Sequence, residues 1–390
     1  MKESSDEDAI NILRRIRAGA EPEAVVRQIH EGNLLMQLSL VPETRRLYEL
    51  PYTRKIPDFL LTPDNPYVLP ATLNAKYDLR DSGWGACYTR PYHAAVVSEV
   101  LIDRVSISNW TTVISSNELL RQLLRTFFQY AYAEWFPFHK DLFLLDMAAD
   151  CTDFCSPLLV NAVLANACYS TASLPDRAKY WLPDNLTYKF TAEAKRLWDL
   201  EVASGHQRLT TVQASQILSV IMDFDGINSL GRFYTAQGLS MARDLGLFGS
   251  FDHISCIRKR KACLWTAWSL FSWHSMISYY FHVRPTIIEA PRDDLPDDPD
   301  WYGELHLTYA PSEVLLPIHL YQSVKAKCQL RSIKHAISMQ AFRSENGKGD
   351  PSLTFGEADR YCTQLEDWAQ ALPEQLQPSR VVFPKDIGIQ

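Results

Sequence analysis

From Ala262 to Phe281 the chain runs through twenty residues without an Asp, Glu, Lys or Arg. That length can cross a bilayer as a helix, and Arg258-Lys259-Arg260-Lys261 stands beside the run as a cytoplasmic anchor would. The composition inside the run favours a soluble core. Four serines, Thr266 and His274 are polar, and only Leu264, Leu270, Met276 and Ile277 are large aliphatics. Most of the remaining bulk is aromatic, and Trp and Tyr prefer the membrane interface to its centre. Leu264, Trp265, Trp268, Phe271, Ser272, Ser275, Met276 and Tyr279 share one helical face, while Trp273, Tyr280 and Phe281 lie on another flank. The run is therefore expected to form a helix buried from more than one side, ended by Pro285.

Two shorter helices lead into it. Thr210 with Gln213 has the spacing of a capping box, and Val212, Ile217, Val220 and Ile221 follow at helical intervals. After the turn signal Asp225-Gly226-Ile227-Asn228, a second run carries Leu230, Phe233, Tyr234, Met241 and Leu245 and closes at Gly246, a left-handed capping position. The spacing predicts further helices over His93–Val105, Ser116–Ala133, Ser156–Ala172, Tyr188–Val202, Ser312–Phe342 and Thr354–Ala371. Strand-like alternation is rare and short and no repeat of fixed period occurs, so the expected fold is an all-α multi-helix bundle.

Three regions are expected. Residues 1–40 read as a short amphipathic helix pair, with Ser5 as a cap, Ile10, Leu13 and Ile16 as a stripe, and Pro22 opening the second helix. Residues 41–116 form a linker or strap, because prolines at 42, 51, 57, 63, 66, 70 and 91 exclude long helices. Residues 117–390 form the helical domain proper. At 46% hydrophobic over 390 residues the chain can bury its core without disulfides or metal.

Chemistry-bearing motifs are sparse. The sequence has no Gly-x-Ser-x-Gly elbow, phosphate loop, His-Glu-x-x-His or dinucleotide fingerprint, and no catalytic residue is nominated. Its eight cysteines are scattered, with only Cys151 and Cys155 close together. Their spacing to Asp146, Asp150 and His139 fits no standard zinc site, so no metal ligands are assigned. Asp223 to Asn228 resembles a calcium loop with its glycine two positions early, and reads as a turn. His274 reads as a core histidine, Arg284 as a contact for the last carbonyls of the long helix, and the acidic stretch Pro291–Asp300 as a solvated loop. A net charge of -7 opposes phosphate binding by this chain, and the start lacks an apolar signal segment.

One set of motifs, in one order, resembles the middle homology region of fungal zinc-cluster transcription factors. The set begins with Glu118 to Leu124, Phe138-His139-Lys140-Asp141-Leu142-Phe143, Cys155 to Leu159 and Ala192 to Trp198. It continues with Met241-Ala242-Arg243-Asp244-Leu245-Gly246-Leu247, the basic cluster, Leu264-Trp265 and Arg284-Pro285. Two positions depart from the pattern: His274 stands where many relatives carry Asp, and Val283 replaces the Gly of a Gly-Arg-Pro. Similarity around Trp110 to Val113 and Cys155 to Pro157 points toward the nitrogen-assimilation activators. The resemblance implies a nuclear, non-enzymatic regulator of RNA polymerase II transcription. Zinc would be held only in a six-cysteine head absent from this sequence, and DNA would be contacted only through that head. Co-regulators or the transcription machinery would be partners, with a small-molecule effector of unnamed lining and no membrane. The competing readings are a helical scaffold protein and an enzyme with an unrecognised site.

Overall fold

A computed structural model describes residues 95–171, 173–177, 179–205, 207–309, 315–342 and 353–377, all within one compact unit, residues 80–390. The helix pair expected over 1–40 and most of the 41–116 strap lie outside the described residues. The chain enters as strand β1 (Ala95–Ser98) and helix α1 (Val100–Arg104). Helix α2 (Asn117–Phe127) runs into a π-helical turn, Phe128–Tyr132, and a last helical turn, Ala133–Trp135. There follow α3 (Lys140–Ala148), α4 (Pro157–Ser170), α5 (Leu186–Ala203), α6 (Leu209–Phe224), α7 (Asn228–Asp244) and the long α8 (Ile257–Tyr280). A short turn, Pro299–Tyr302, leads to β2 (His306–Tyr309), β3 (Leu316–Pro317), α9 (Leu320–Ala341) and α10 (Phe355–Gln370).

Helix ends follow local chemistry. Ser156 caps α4 by accepting the Leu159 N–H at 3.2 Å, with Pro157 opening the helix where its missing N–H costs nothing. Asn185 caps α5 through the Thr187 N–H at 2.8 Å, and Thr354 with Glu357 builds a reciprocal capping box on α10. Two left-handed glycines end α6 and α7. Gly226 and Gly246 have φ of 73° and 69°, and the paired bonds Ile227 N–H to Met222 O and Leu247 N–H to Ala242 O complete Schellman caps. The predicted turn at Asp223 to Asn228 is thus a helix stop.

The core is built around helices enclosed on every side. Residues 158–168 of α4 and 210–222 of α6 are buried without a break. Helix α7 comes against α6 so closely that a Cβ on Gly238 would lie 2.8 Å from Ser215 Cβ and overlap its hydroxyl. Helix α8 buries most residues from Ala262 to Ser278, and among the described residues no helix is long and apolar enough to cross a membrane. On α8, Trp265 is 1% exposed, whereas Trp268 is half-buried at the rim and donates its Nε1–H to Asp293 O at 2.9 Å.

Two local expectations are corrected. Thr210 does not cap: α6 begins earlier, at Leu209, Thr210 Oγ1 is buried without a partner, and Gln213 reaches inward to Thr266 Oγ1 at 2.8 Å. Tertiary burial has recruited the two residues that mimic a box. The expected helix over His93–Val105 contains β1, antiparallel to β2 from Ala95 opposite Tyr309 to Ser98 opposite His306; β3 extends the sheet beyond β2. Val97 is buried and Val96 exposed, the period-two alternation of a half-covered strand. The acidic stretch is largely solvated as expected, with Asp294, Asp297, Asp298 and Asp300 exposed, and is also tied to the body: Asp293 accepts the Phe251 N–H at 2.8 Å, Asp297 accepts from Tyr321 and Lys325, and Asp298 caps the turn at Pro299.

Trp265→Ala should cost about 3–5 kcal/mol in urea denaturation, and Trp268→Ala clearly less. Gly238→Ala should cost about 1–3 kcal/mol through overpacking. Combined with Ser215→Gly, it should lose less than the sum of the two single losses, because the second change removes the overlap.

Candidate functional site

The distinctive site is an irregular crossing on the α2 side of the core. An α-helix satisfies its carbonyls within itself, and a π turn followed by a break frees several of them. After the turn at Phe128–Tyr132 the backbone reverses at Phe136, a buried non-glycine residue with φ 32° and ψ 59°. Five of the carbonyls between Ala133 and Phe138 are taken by side chains. Lys327 Nζ donates to Ala133 O at 2.9 Å, Arg331 to Glu134 O at 2.9 Å, and Trp265 Nε1 to Phe136 O at 2.8 Å. Ser269 Oγ lies 2.8 Å from Trp135 O, and Tyr132 OH donates to Phe138 O at 2.8 Å. Helices α8 and α9 thus supply four of the five partners.

Two cations converge on one carboxylate there. Arg331, with a side chain 5% exposed, and Lys327 both pair with Glu134, which is 48% exposed. Arg331 also donates to Ser272 Oγ at 2.9 Å. Burial pulls the Lys327 pKa down, against the Glu134 carboxylate that raises it. The polar contacts continue into the α6–α8 interface, where Ser269 Oγ lies 3.3 Å from Gln216 Oε1. Gln213 Oε1 and Gln216 Nε2 are buried without partners.

An aromatic cluster joins this crossing to a cavity. The Trp265 ring meets Phe136, His139, Trp301 and Tyr302 at centroid distances of 4.9–5.8 Å. His139 Nε2 lies 2.8 Å from Trp301 O, which assigns its hydrogen to Nε2, and Nδ1 is buried without a partner. Beyond Tyr302 opens a cavity of about 420 Å³ between the Pro299–Glu304 segment and the start of α9, walled by Asp300, Tyr302, Glu304, His319 and Tyr321. Gly303 is required beneath it: φ is 69°, and a Cβ would lie 2.7 Å from Asp141 Cγ.

The residues singled out in the sequence disperse over the body. Asp146, Cys151 and Asp153 come together, but the Asp146 oxygens are engaged by the Phe154 N–H at 2.7 Å and by Arg258. Burial and the Asp146 charge hold the Cys155 thiol well above its ordinary pKa. His139 belongs to the aromatic cluster and Asp150 is exposed. The basic cluster is tied in at three points: Arg258 to Asp146, Arg260 to Ile254 O at 2.6 Å, and Lys261 above the Trp301 ring at 5.4 Å. His274 is buried in α8, and Arg284 is exposed beyond that helix. Lys140, 4% exposed, sits between Glu99 and Asp141. Thr111 donates to Asn161 Oδ1 at 2.7 Å while Asn161 donates to Trp110 O at 3.1 Å, so that motif fastens the entry segment to α4. Sequence reasoning missed Glu134, Lys327 and Arg331, whose only signal is charge: Lys327 and Arg331 turn out to point inward, and the half-exposed Glu134 meets them at the rim.

Burial lowers the His139 pKa to about 4, with Lys261 acting in the same direction, and lowers that of His274 to about 4, with Arg243 adding to it. Both rings bind a proton less well folded than unfolded, where the value is near 6.5. Stability is therefore complete above about pH 6.5 and is lost as the pH falls toward 4, by about 2 kcal/mol per ring at pH 5. Urea midpoints at pH 7 and pH 5 should differ less in His274→Gln than in the parent chain.

Residues 124–313, from the end of α2 to just beyond β2, match the family model described as the fungal specific transcription factor domain. The nitrogen assimilation transcription factor nit-4 of Neurospora crassa is 28% identical over 317 residues, covering 73% of this chain and 27% of the relative. Nitrogen assimilation transcription factor nirA of Emericella nidulans is 28% identical over 295 residues, 72% of this chain and 33% of the relative. The notoamide biosynthesis transcriptional activator notL' of Aspergillus versicolor is 28% identical over 301 residues, 72% and 45% respectively. The chain spans between about a quarter and a half of the length of these relatives. No solved structure matches it. The helical body, the order of its motifs and these matches together make residues 124–313 of this chain a fungal specific transcription factor domain.

Proposed function

We propose that this chain is the regulatory body of a fungal zinc-cluster transcription factor, nuclear and acting on transcription by RNA polymerase II. The observation that carries the reading is the family match over residues 124–313, which falls on the core from the end of α2 through α8. In this reading DNA is contacted by a six-cysteine zinc cluster outside these 390 residues, and zinc belongs to that cluster alone. The body acts by restraining or passing on activity to co-regulators or the transcription machinery, and it performs no catalysis. Charge supports the division of labour. The chain carries -7 overall, and three of the four cations in Arg258–Lys261 are engaged within the body, which leaves little to exchange for phosphate counterions.

The test has two arms. Residues 1–390 fused to an unrelated DNA-binding domain should change the output of a reporter carrying that domain's site, in at least some nutrient conditions. A fusion that is expressed, nuclear and indistinguishable from the bare DNA-binding domain would overturn the regulatory reading. The isolated chain should show no sequence-specific binding to duplex DNA at physiological salt, and tight binding there would overturn the assignment of DNA contact to a separate head.

A further inference from the structure

The uncharged run of α8 outlasts the core that covers it. Buried residues of the helix continue to Ser278, and then Tyr280, Phe281, Val283 and Ile288 emerge, each 46–69% exposed. The backbone beneath them is fixed. His282 takes a left-handed φ of 55° and the Val283 N–H bonds Ser278 O at 3.0 Å, a Schellman cap that sets where the last turn stops. Beyond it Ile287 is buried and His335 Nε2 lies 3.0 Å from Ile288 O, which holds the returning segment beside α9. Apolar side chains this concentrated on the outside of a folded body, two of them aromatic, mark an interaction surface.

The charges around this face decide what suits it. Lys334 Nζ donates to Tyr280 OH at 3.0 Å and lies 4.6 Å from that ring's centroid, yet the residue stays 60% exposed. Arg243, on α7, donates to Thr286 O at 3.2 Å. Both of these partners are neutral, so they cancel neither positive charge. Exposed Arg284 adds a third cation, against Glu289 as the acid within residues 280–290. Asp244, next to Arg243, accepts from Gln207 Nε2 at 2.8 Å. A chain of net charge -7 thus places a locally positive rim around an apolar face. A second copy would set these cations against their own kind, and a bilayer or a duplex presents a wide negative surface that the body as a whole repels. A short acidic segment with apolar side chains meets rim and face together and confines its charge to them.

We propose that the face at the end of α8 is a docking site for a short acidic, apolar peptide segment of a partner protein, its carboxylates toward Lys334 and Arg243 and its apolar groups on Phe281, Val283 and Ile288. The proposal concerns binding by the isolated chain, so it stands or falls separately from the transcriptional reading. The purified 390-residue protein is titrated, at constant ionic strength, into a fluorescein-labelled peptide of three Asp-Asp-Phe-Leu repeats, and binding is read by anisotropy. The peptide should bind saturably, with Lys-Lys-Phe-Leu and Asp-Asp-Gly-Ser repeats at least about tenfold weaker. Phe281→Ser should weaken the acidic peptide about tenfold, and Lys334→Gln and Arg243→Gln several-fold each. Ile257→Ser, at an equally open position about 34 Å away at the other end of the 24-residue helix, should bind as the parent does. Absence of saturable binding, equal binding of the Lys peptide, or binding unmoved by both Phe281→Ser and Lys334→Gln in normally melting proteins would each overturn the proposal. Retention by phosphatidylserine vesicles with the acidic peptide left unbound would overturn it too, and would give the face to a membrane.

Discussion

The capture of a broken helix's carbonyls by two other helices is the constraint on which this body depends. From Ala133 to Phe138 the helix ends and its last carbonyls have no helical N–H ahead of them, and an unpaired buried carbonyl costs about 1–3 kcal/mol. Lys327, Arg331, Ser269 and Trp265 remove that cost one carbonyl at a time, and in doing so fix where α8 and α9 lie against the end of α2. Position and satisfaction are the same event, so a shift of α9 by one turn would strip two carbonyls and a carboxylate at once. Polar interiors of this kind specify one packing more sharply than an oily seam does, because misregistered alternatives leave charge buried without a partner.

Most of the helical layout was legible, for physical reasons that can be named residue by residue. Ser156-Pro157, Thr354 with Glu357 and Gly246 are local signals whose chemistry is complete within one turn of helix, and each lies where the structure uses it. Thr210 with Gln213 has the same local form, and it misleads because the energy lies outside the turn, in burial against Thr266. The same limit hid Glu134, Lys327 and Arg331. A charged residue on a helix is normally solvated, and only the distant break at Phe136 draws Lys327 and Arg331 inward, to meet the half-exposed Glu134 at its edge.

The acidic stretch after α8 makes a related point about charge runs. Five aspartates read as solvent-facing when counted, and Asp294, Asp297, Asp298 and Asp300 are exposed, yet Asp293, Asp297 and Asp298 also each accept from a specific donor. What holds the stretch is its interleaving with Pro296, Trp301 and Tyr302, which press it onto α8 and α9 through the Trp265 cluster. The cavity beside α9 lies between this segment and the start of the helix, where Glu304 is spent on the helix end.

The pairing of β1 with β2 also bears on the order of assembly. Thr308 reaches across to Val96 O over 212 positions of sequence, whereas α6 with α7 and α4 with α5 are neighbours that can pair as soon as they emerge. Loop-closure entropy favours the near partners first. On a ribosome, β1 must wait with an open edge until all of α2 to α8 has been made, and α8, with its uncharged aromatic stretch, must wait further for α9 to cover it. The body is therefore most vulnerable to association with other chains late in synthesis, when its helices are formed and its closing elements are not, and that interval is where a chaperone would have most to protect.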